Sequence, residues 1–77
     1  MSIDTFIEKF AFAIEVPVES LQAGTRFKEL PNWDSLNTLA VIAMADADYG
    51  ITIGGQAIQN AVTIEDLWEE VLAKIGA

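Results

Sequence analysis

The sequence predicts an all-α fold: a small four-helix bundle with three main helices and one short third helix. Two segments near the ends of the chain carry apolar residues at the i, i+3, i+4 spacing that places them on one helix face. A central segment is apolar around most of its circumference and stops at Gly50. Ile51 and Ile53 alternate with a threonine, but the sequence offers no partner strand, so we expect an extended link that buries both isoleucines.

The first helix is predicted to begin after Ser2, which can cap it, and to end by about Val16, because Pro17 follows. No glycine or proline interrupts this run. The apolar residues that should face the core recur along one side of the helix: Ile3, Phe6, Ile7, Phe10, Ala11 and Ile14.

Residues 16–33 form a long connection between the first two helices, with two prolines and one glycine. Phe27 and Leu30 are the large apolar side chains expected to anchor this loop in the core. A connection of this length without secondary structure is unusual in a compact domain. We therefore expect either a short turn around residues 18–21 or a functional loop.

The second helix is predicted from Ser35 to Tyr49, with Gly50 as its stop. One apolar stripe consists of Thr38, Val41, Ile42, Ala45 and Tyr49. A second face consists of Leu36, Leu39, Ala40, Ala43 and Ala47. A small domain cannot bury every face of one helix, so the second face is predicted to meet partners, as a helix does in an apolar groove. The alternative is that its alanines are only good helix formers, which leaves Leu36 and Leu39 as the expected contacts.

The last two helices are predicted with unequal lengths. One helical turn is expected from Gln56 to Asn60, directly after two glycines. The final helix should begin after Thr63, with Asp66 completing a capping box, and end at Gly76. Trp68 lies on its apolar stripe and is expected in the core.

Composition limits the classes of function. The 77 residues suffice for one small domain, 1–77, and a hydrophobic content of 52% can build its core without disulfides. The chain has no cysteine, so any thiol must come from a cofactor. The net charge of −8 disfavours nucleic acid and anionic membranes and favours basic protein surfaces. No signal-like or membrane-spanning run is present, so we expect a cytoplasmic protein. The chain begins and ends close to its predicted helices, which favours a free-standing domain, and we expect a monomer.

The sequence lacks the residues of common catalytic and metal sites. Without histidine there is no imidazole base, no Ser-His-Asp triad and no imidazole metal ligand. Acidic pairs at residues 65–66 and 69–70 fall on the solvent face of the last helix, and Asp46 and Asp48 lack the spacing of a calcium loop. We expect no metal site and no enzymatic activity from the chain alone, which leaves a binding or carrying role.

The residues Trp33-Asp34-Ser35-Leu36 stand where the second helix begins. Asp34 can cap the helix by accepting a hydrogen bond from its first turn. Ser35 then occupies the first helical position, where the positive end of the helix dipole favours a phosphate ester on its oxygen. Because the chain has no histidine to accept its proton, Ser35 is a poor nucleophile but a good attachment point.

This arrangement resembles the acyl carrier protein family, whose mark is Asp-Ser-Leu at the start of the second helix. The resemblance covers essentially the whole chain, including the long loop and the isoleucine-containing link. It implies that Ser35 carries 4′-phosphopantetheine and that Asp34 guides the phosphopantetheinyl transferase. It also places the docking surface for acyl-activating, condensing or acyltransferase enzymes on the second helix, with Asp34, Leu36, Leu39, Ala40, Asp46 and Asp48 as its predicted residues.

Several residues depart from the family pattern. The family often has glycine two residues before the aspartate, where this chain has Asn32, a residue that adopts left-handed geometry less freely. Asn37 and Ala40 stand where acids are common in fatty-acid carriers. We therefore expect a specialised carrier rather than a housekeeping one. Two alternatives stay open: an aminoacyl or peptidyl carrier of the same fold, and an unmodified helical adaptor.

Overall fold

The computed structural model describes residues 2–76, which form four α-helices: α1 Ile3–Ile14, α2 Ser35–Tyr49, α3 Gly55–Asn60 and α4 Ile64–Ile75. No strand occurs in this part of the chain, so the prediction of a small all-α bundle with a short third helix is confirmed. α1 packs against α2 and α4, and α3 packs against the same two helices. Among residues 2–76, no helix combines the length and the apolar character needed to cross a bilayer.

A single hydrophobic cluster joins the helices and the segments between them. The predicted stripe of α1 faces it, with Phe6 and Phe10 fully buried and Ile3 partly buried. Ile51 and Ile53 are buried in the link after α2, as predicted. Trp68 of α4 is also buried, as expected; its ring centroid lies 5.1 Å from that of Phe6.

α2 buries a face that differs slightly from the predicted stripe. Val41 and Ala45 are buried as expected, but Met44, which the stripe omits, is buried with them. Thr38, Ile42 and Tyr49 are only half-buried. Thr38 and Ile42 also line a groove described below.

α1 ends at Ile14, two residues before the predicted limit, because Glu15 adopts a left-handed conformation with φ 59°. The Glu15 N–H donates to the Phe12 carbonyl (3.3 Å), and the Val16 N–H donates to the Ala11 carbonyl (3.0 Å). These are the paired hydrogen bonds of a Schellman motif. The turn brings the apolar side chain of Val16 against the core, which explains the reversal at a position without glycine.

Replacing Glu15 with glycine should raise the free energy of unfolding by about 0.5–1 kcal/mol. The left-handed conformation costs an L-residue roughly 1–2 kcal/mol, and the added entropy of unfolded glycine offsets about 0.5–1 kcal/mol of the gain. Glu8→Gly is the matched control, because Glu8 is exposed inside α1 and the same change there should cost about 1 kcal/mol. Urea unfolding followed by circular dichroism measures the free energy of unfolding of both variants. If the two substitutions change it in the same direction, the strain proposed at Glu15 is contradicted.

The connection between α1 and α2 contains two single-turn 3₁₀ helices, Val18–Ser20 and Phe27–Glu29. The first confirms the turn expected around residues 18–21, while the second has no counterpart in the sequence prediction. Phe27 is fully buried and Leu30 packs against the core, which confirms both loop anchors.

Hydrogen bonds also tie this connection to the start of α4. The Ile64 N–H donates to the Thr25 carbonyl (3.1 Å), and the Glu65 N–H donates to the Ala23 carbonyl (2.9 Å). First-turn N–H groups have no acceptor within their own helix, so the loop satisfies them. The loop that leads to Ser35 is therefore held in place at its middle as well as at its ends.

The predicted capping box of α4 is confirmed. The Asp66 N–H donates to the Thr63 hydroxyl (3.1 Å), and the Asp66 carboxylate accepts the N–H of Thr63 (3.1 Å) and of Val62 (3.1 Å). Hydrogen bonds from Thr63 and then Val62 favour the ionised carboxylate and lower the pKa of Asp66. α3 begins at Gly55, one residue earlier than predicted.

Candidate functional site

Ser35 is the first residue of α2, and its side chain is exposed. Asp34 caps the helix in an extended conformation, and its Oδ1 accepts the Asn37 N–H at 2.9 Å. The Asp34 carbonyl accepts the Thr38 N–H at 3.1 Å and the Thr38 hydroxyl at 3.3 Å. The predicted cap is therefore confirmed. Its hydrogen bonds hold the backbone on both sides of Ser35 in place.

Aromatic packing supports the residue just before this cap. The ring of Trp33 is nearly parallel to that of Phe10, with centroids 6.2 Å apart, and meets that of Phe27 edge-on at 5.1 Å. The backbone N–H of Trp33 also donates to the Leu30 carbonyl at 3.0 Å. Because Phe10 and Phe27 are fully buried, the start of α2 is attached to the core through Trp33.

Asn32 does not adopt the left-handed geometry that the resemblance to acyl carrier proteins suggested at this position. Among residues 2–76, Glu15 is the one non-glycine residue with a positive φ, so Asn32 has an ordinary backbone. The Asn37 side-chain amide donates to the Asn32 carbonyl at 2.7 Å. Asparagine at position 37 thus ties the loop to the first turn of α2, a role that an acid in its ionised form could not perform.

The surroundings of Ser35 favour an anion but do not activate its hydroxyl. The N–H groups of Ser35 and Leu36 lie in the first turn, where they lack an intrahelical acceptor, next to the positive end of the helix dipole. In the described residues, Ser35 Oγ makes no hydrogen bond to a neighbouring base, and the whole chain has no histidine. No cluster able to hold a metal ion is found between residues 2 and 76.

A groove opens beside Ser35 between α2 and α3, with a volume of about 690 Å³. We call it the Ser35 groove; its lining consists of Trp33, Asp34, Ser35, Thr38, Leu39, Ile42, Gly55 and Gln59. It borders a depression of about 480 Å³, the Lys28 recess, lined by Lys28, Trp33, Thr38, Gly55, Gln56, Ile58 and Gln59. Sequence reasoning did not predict either one, because their walls come from three separate parts of the chain.

The predicted partner residues fall into two groups. Leu36 and Leu39 are 74% and 61% exposed, and Asp46 lies about 20° around the helix from Leu39 at 100° per residue. Ala40 is half-buried beside them. Asp48 lies about 120° around the helix from Leu36 and faces α1, where its carboxylate is 3.8 Å from Lys9 Nζ. The geometry thus groups Leu36, Leu39 and Asp46 and separates Asp48 from them.

Replacing Asp34 with alanine should lower the free energy of unfolding by about 1 kcal/mol, because the first turn loses its capping acceptor. Asp34→Asn should leave stability nearly unchanged, since asparagine caps about as well as aspartate but carries no charge. Urea unfolding of both variants checks the cap. If Asp34→Asn costs as much as Asp34→Ala, the carboxylate charge and not the cap hydrogen bond stabilises this end of α2.

Comparisons of the chain with protein-family models, with curated proteins and with solved structures found no match.

Proposed function

We propose that this protein is an acyl carrier, which holds acyl groups as thioesters on a 4′-phosphopantetheine arm attached to Ser35. The observation that carries the proposal is an exposed serine at the first position of a capped fifteen-residue helix, beside an open groove. A serine in this position can be reached by a modifying enzyme from outside. The order of helices, the long first loop and the Asp-Ser-Leu motif support the same proposal through their resemblance to acyl carrier proteins.

The residues around Ser35 fit a phosphodiester. The first-turn N–H groups of Ser35 and Leu36 are donors without an intrahelical acceptor, and the helix dipole favours negative charge there. Asp34 uses Oδ1 to cap the helix, and the Ser35 side chain is exposed. When bound, the arm supplies a terminal thiol on which acyl groups are held.

In this proposal the chain itself is not the catalyst. The phosphopantetheinyl transferase supplies the base that removes the Ser35 proton, and coenzyme A donates the phosphopantetheinyl group with Mg²⁺ present. Acyl-activating, condensing or acyltransferase enzymes then use the loaded carrier. Weak docking steered by the net charge of −8 allows quick exchange among such partners. The proposal includes a monomeric protein in the cytoplasm that binds neither nucleic acid nor membranes and has no metal site of its own.

Thiol titration tests the carrying function directly, because the chain has no cysteine. Before modification, a thiol reagent should detect no thiol in the denatured protein. After incubation with a broad-specificity transferase, coenzyme A and Mg²⁺, followed by removal of small molecules, it should detect one thiol per chain. No protein-bound thiol after treatment with several transferases would contradict the proposal.

We further propose a carrier dedicated to one specialised pathway. The first turn of α2 has no acidic residue, and Asn37 is occupied in a hydrogen bond to the loop. Basic patches on housekeeping fatty-acid enzymes would therefore contact fewer negative charges near Ser35. Exchange rates with fatty-acid synthase enzymes equal to those of a housekeeping carrier would contradict this specialisation. An aminoacyl or peptidyl cargo on the same arm is the alternative within this class.

The exposure of Leu36 and Leu39 favours a second candidate, an unmodified helical adaptor. These side chains lie one turn apart on α2 and can enter an apolar groove of a partner. Ser35→Ala separates the two candidates, because it removes the function of a carrier but leaves the partner affinity of an adaptor nearly intact. Leu36→Ala and Leu39→Ala should weaken docking in both cases.

A further inference from the structure

We propose that the Lys28 recess receives a carboxylate at the far end of the cargo, so that the carrier prefers acyl groups with a terminal carboxylate. This inference rests on the proposed attachment of the arm to Ser35. It adds a substrate class and a residue, Lys28, that lies outside the Asp-Ser-Leu motif.

The recess adjoins the groove that contains the attachment site. The Ser35 groove and the Lys28 recess share Trp33, Thr38, Gly55 and Gln59 as lining residues. Ser35 lines the groove and not the recess, and Lys28 lines the recess and not the groove. A group tethered at Ser35 can therefore enter the recess without leaving the surface between α2 and α3.

Lys28 has capacity for an anion. Its Nζ donates to the Gln59 carbonyl at 2.6 Å, near the end of α3, which occupies one of three ammonium donors. The structure describes two ion pairs within residues 2–76, Lys9–Asp48 and Arg26–Glu29, and neither includes Lys28. Its stem is half-buried, and Nζ lies 6.0 Å from the centroid of the Phe27 ring. The hydrogen bond to α3 thus uses only one of the three N–H donors of the Lys28 ammonium group.

The other walls of the recess suit a polar ligand. Its lining includes three residues with polar side chains, Thr38, Gln56 and Gln59, beside the apolar Trp33 and Ile58. An alkyl terminus placed here would cover the ammonium group and the amides without replacing their hydrogen bonds to water, which is unfavourable. A carboxylate would instead gain a charge-assisted hydrogen bond with Lys28. Asp34 lines the Ser35 groove but not the Lys28 recess.

The anion could also come from the phosphodiester of the arm, and matched cargoes distinguish the two sources. Transfer from glutaryl-, pentanoyl- or unacylated coenzyme A would give carriers with a five-carbon diacid, a five-carbon alkyl acid, or no cargo. Backbone amide shifts of Lys28 and Gln59 in ¹⁵N-correlated NMR spectra are the readout. Lys28→Gln is the test variant, and Lys74→Gln, exposed in the last turn of α4, makes the same change in net charge.

We expect these two amides to shift in the glutaryl carrier relative to the carrier without cargo, and to stay unshifted in the pentanoyl carrier. The glutaryl shift should disappear in Lys28→Gln and persist in Lys74→Gln. Equal shifts with both cargoes, survival of the shift in Lys28→Gln, or no shift beyond that of the bare arm would overturn the inference and leave the carrier function standing. If no form of coenzyme A adds mass to the chain, the proposed function and this inference both fail.

Discussion

Replacing Phe10 with alanine should lower the free energy of unfolding by about 3–5 kcal/mol. Phe10 is fully buried, and its ring packs against those of Phe6, Phe27 and Trp33, with centroids 6.1, 5.4 and 6.2 Å away. The loss combines the transfer of the ring from the core with the cavity left among three other aromatic rings. At roughly 0.05–0.15 kcal/mol per residue, a chain of 77 residues has a free energy of unfolding of about 4–12 kcal/mol. The substitution should therefore remove a large part of the stability of the fold.

Phe12→Ala is the matched control, with the same substitution in the same helix. Phe12 is 87% exposed, so its loss should change the unfolding free energy by less than about 0.5 kcal/mol. Urea unfolding followed by circular dichroism at the helical signal compares the two variants without relying on Trp33, which touches Phe10. Similar losses in both variants would contradict the assignment of the α1 face that enters the core.

Most helix ends could be predicted from the sequence because local chemistry determines them. Ser2, Asp34 and Thr63 each accept a hydrogen bond from the first turn of the helix that follows. Gly50 and Gly76 follow α2 and α4 in left-handed conformations that glycine adopts without strain. The apolar spacing of α1 and α4 then identifies the face that each helix buries.

The end of α1 could not be predicted, because the signal there is not local. Glutamate has no preference for the left-handed conformation that Glu15 adopts. The turn is stabilised by Val16, whose packing against the core exists only after the other helices are in place. Pro17 indicated that the helix stops nearby but not at which residue.

The site was only partly predictable for the same reason. Asp34 and Ser35 are neighbours in sequence, so their capped geometry follows from the motif. The Lys28 recess forms only where the loop, α2 and α3 pack together. The spacing of residues along the chain does not indicate which segments pack against one another. The ion pair of Asp48 with Lys9 depends in the same way on how α1 packs against α2.

Ser35→Ala should abolish addition of the phosphopantetheinyl group and leave the fold intact. The Ser35 side chain is exposed at the first helical position, and alanine is the better helix former, so stability should change by less than about 0.5 kcal/mol. The chain has three serines, at positions 2, 20 and 35. Ser20→Ala is the matched control, because Ser20 is also exposed and precedes no regular α-helix.

Intact mass spectrometry after incubation with a broad-specificity transferase, coenzyme A and Mg²⁺ tests the central claim most directly. The native chain and Ser20→Ala should each gain the mass of one phosphopantetheinyl group, and Ser35→Ala should gain none. A gain in Ser35→Ala would place the attachment elsewhere. No gain in the native chain with any of several transferases would contradict the carrier function and favour the adaptor that binds through Leu36 and Leu39.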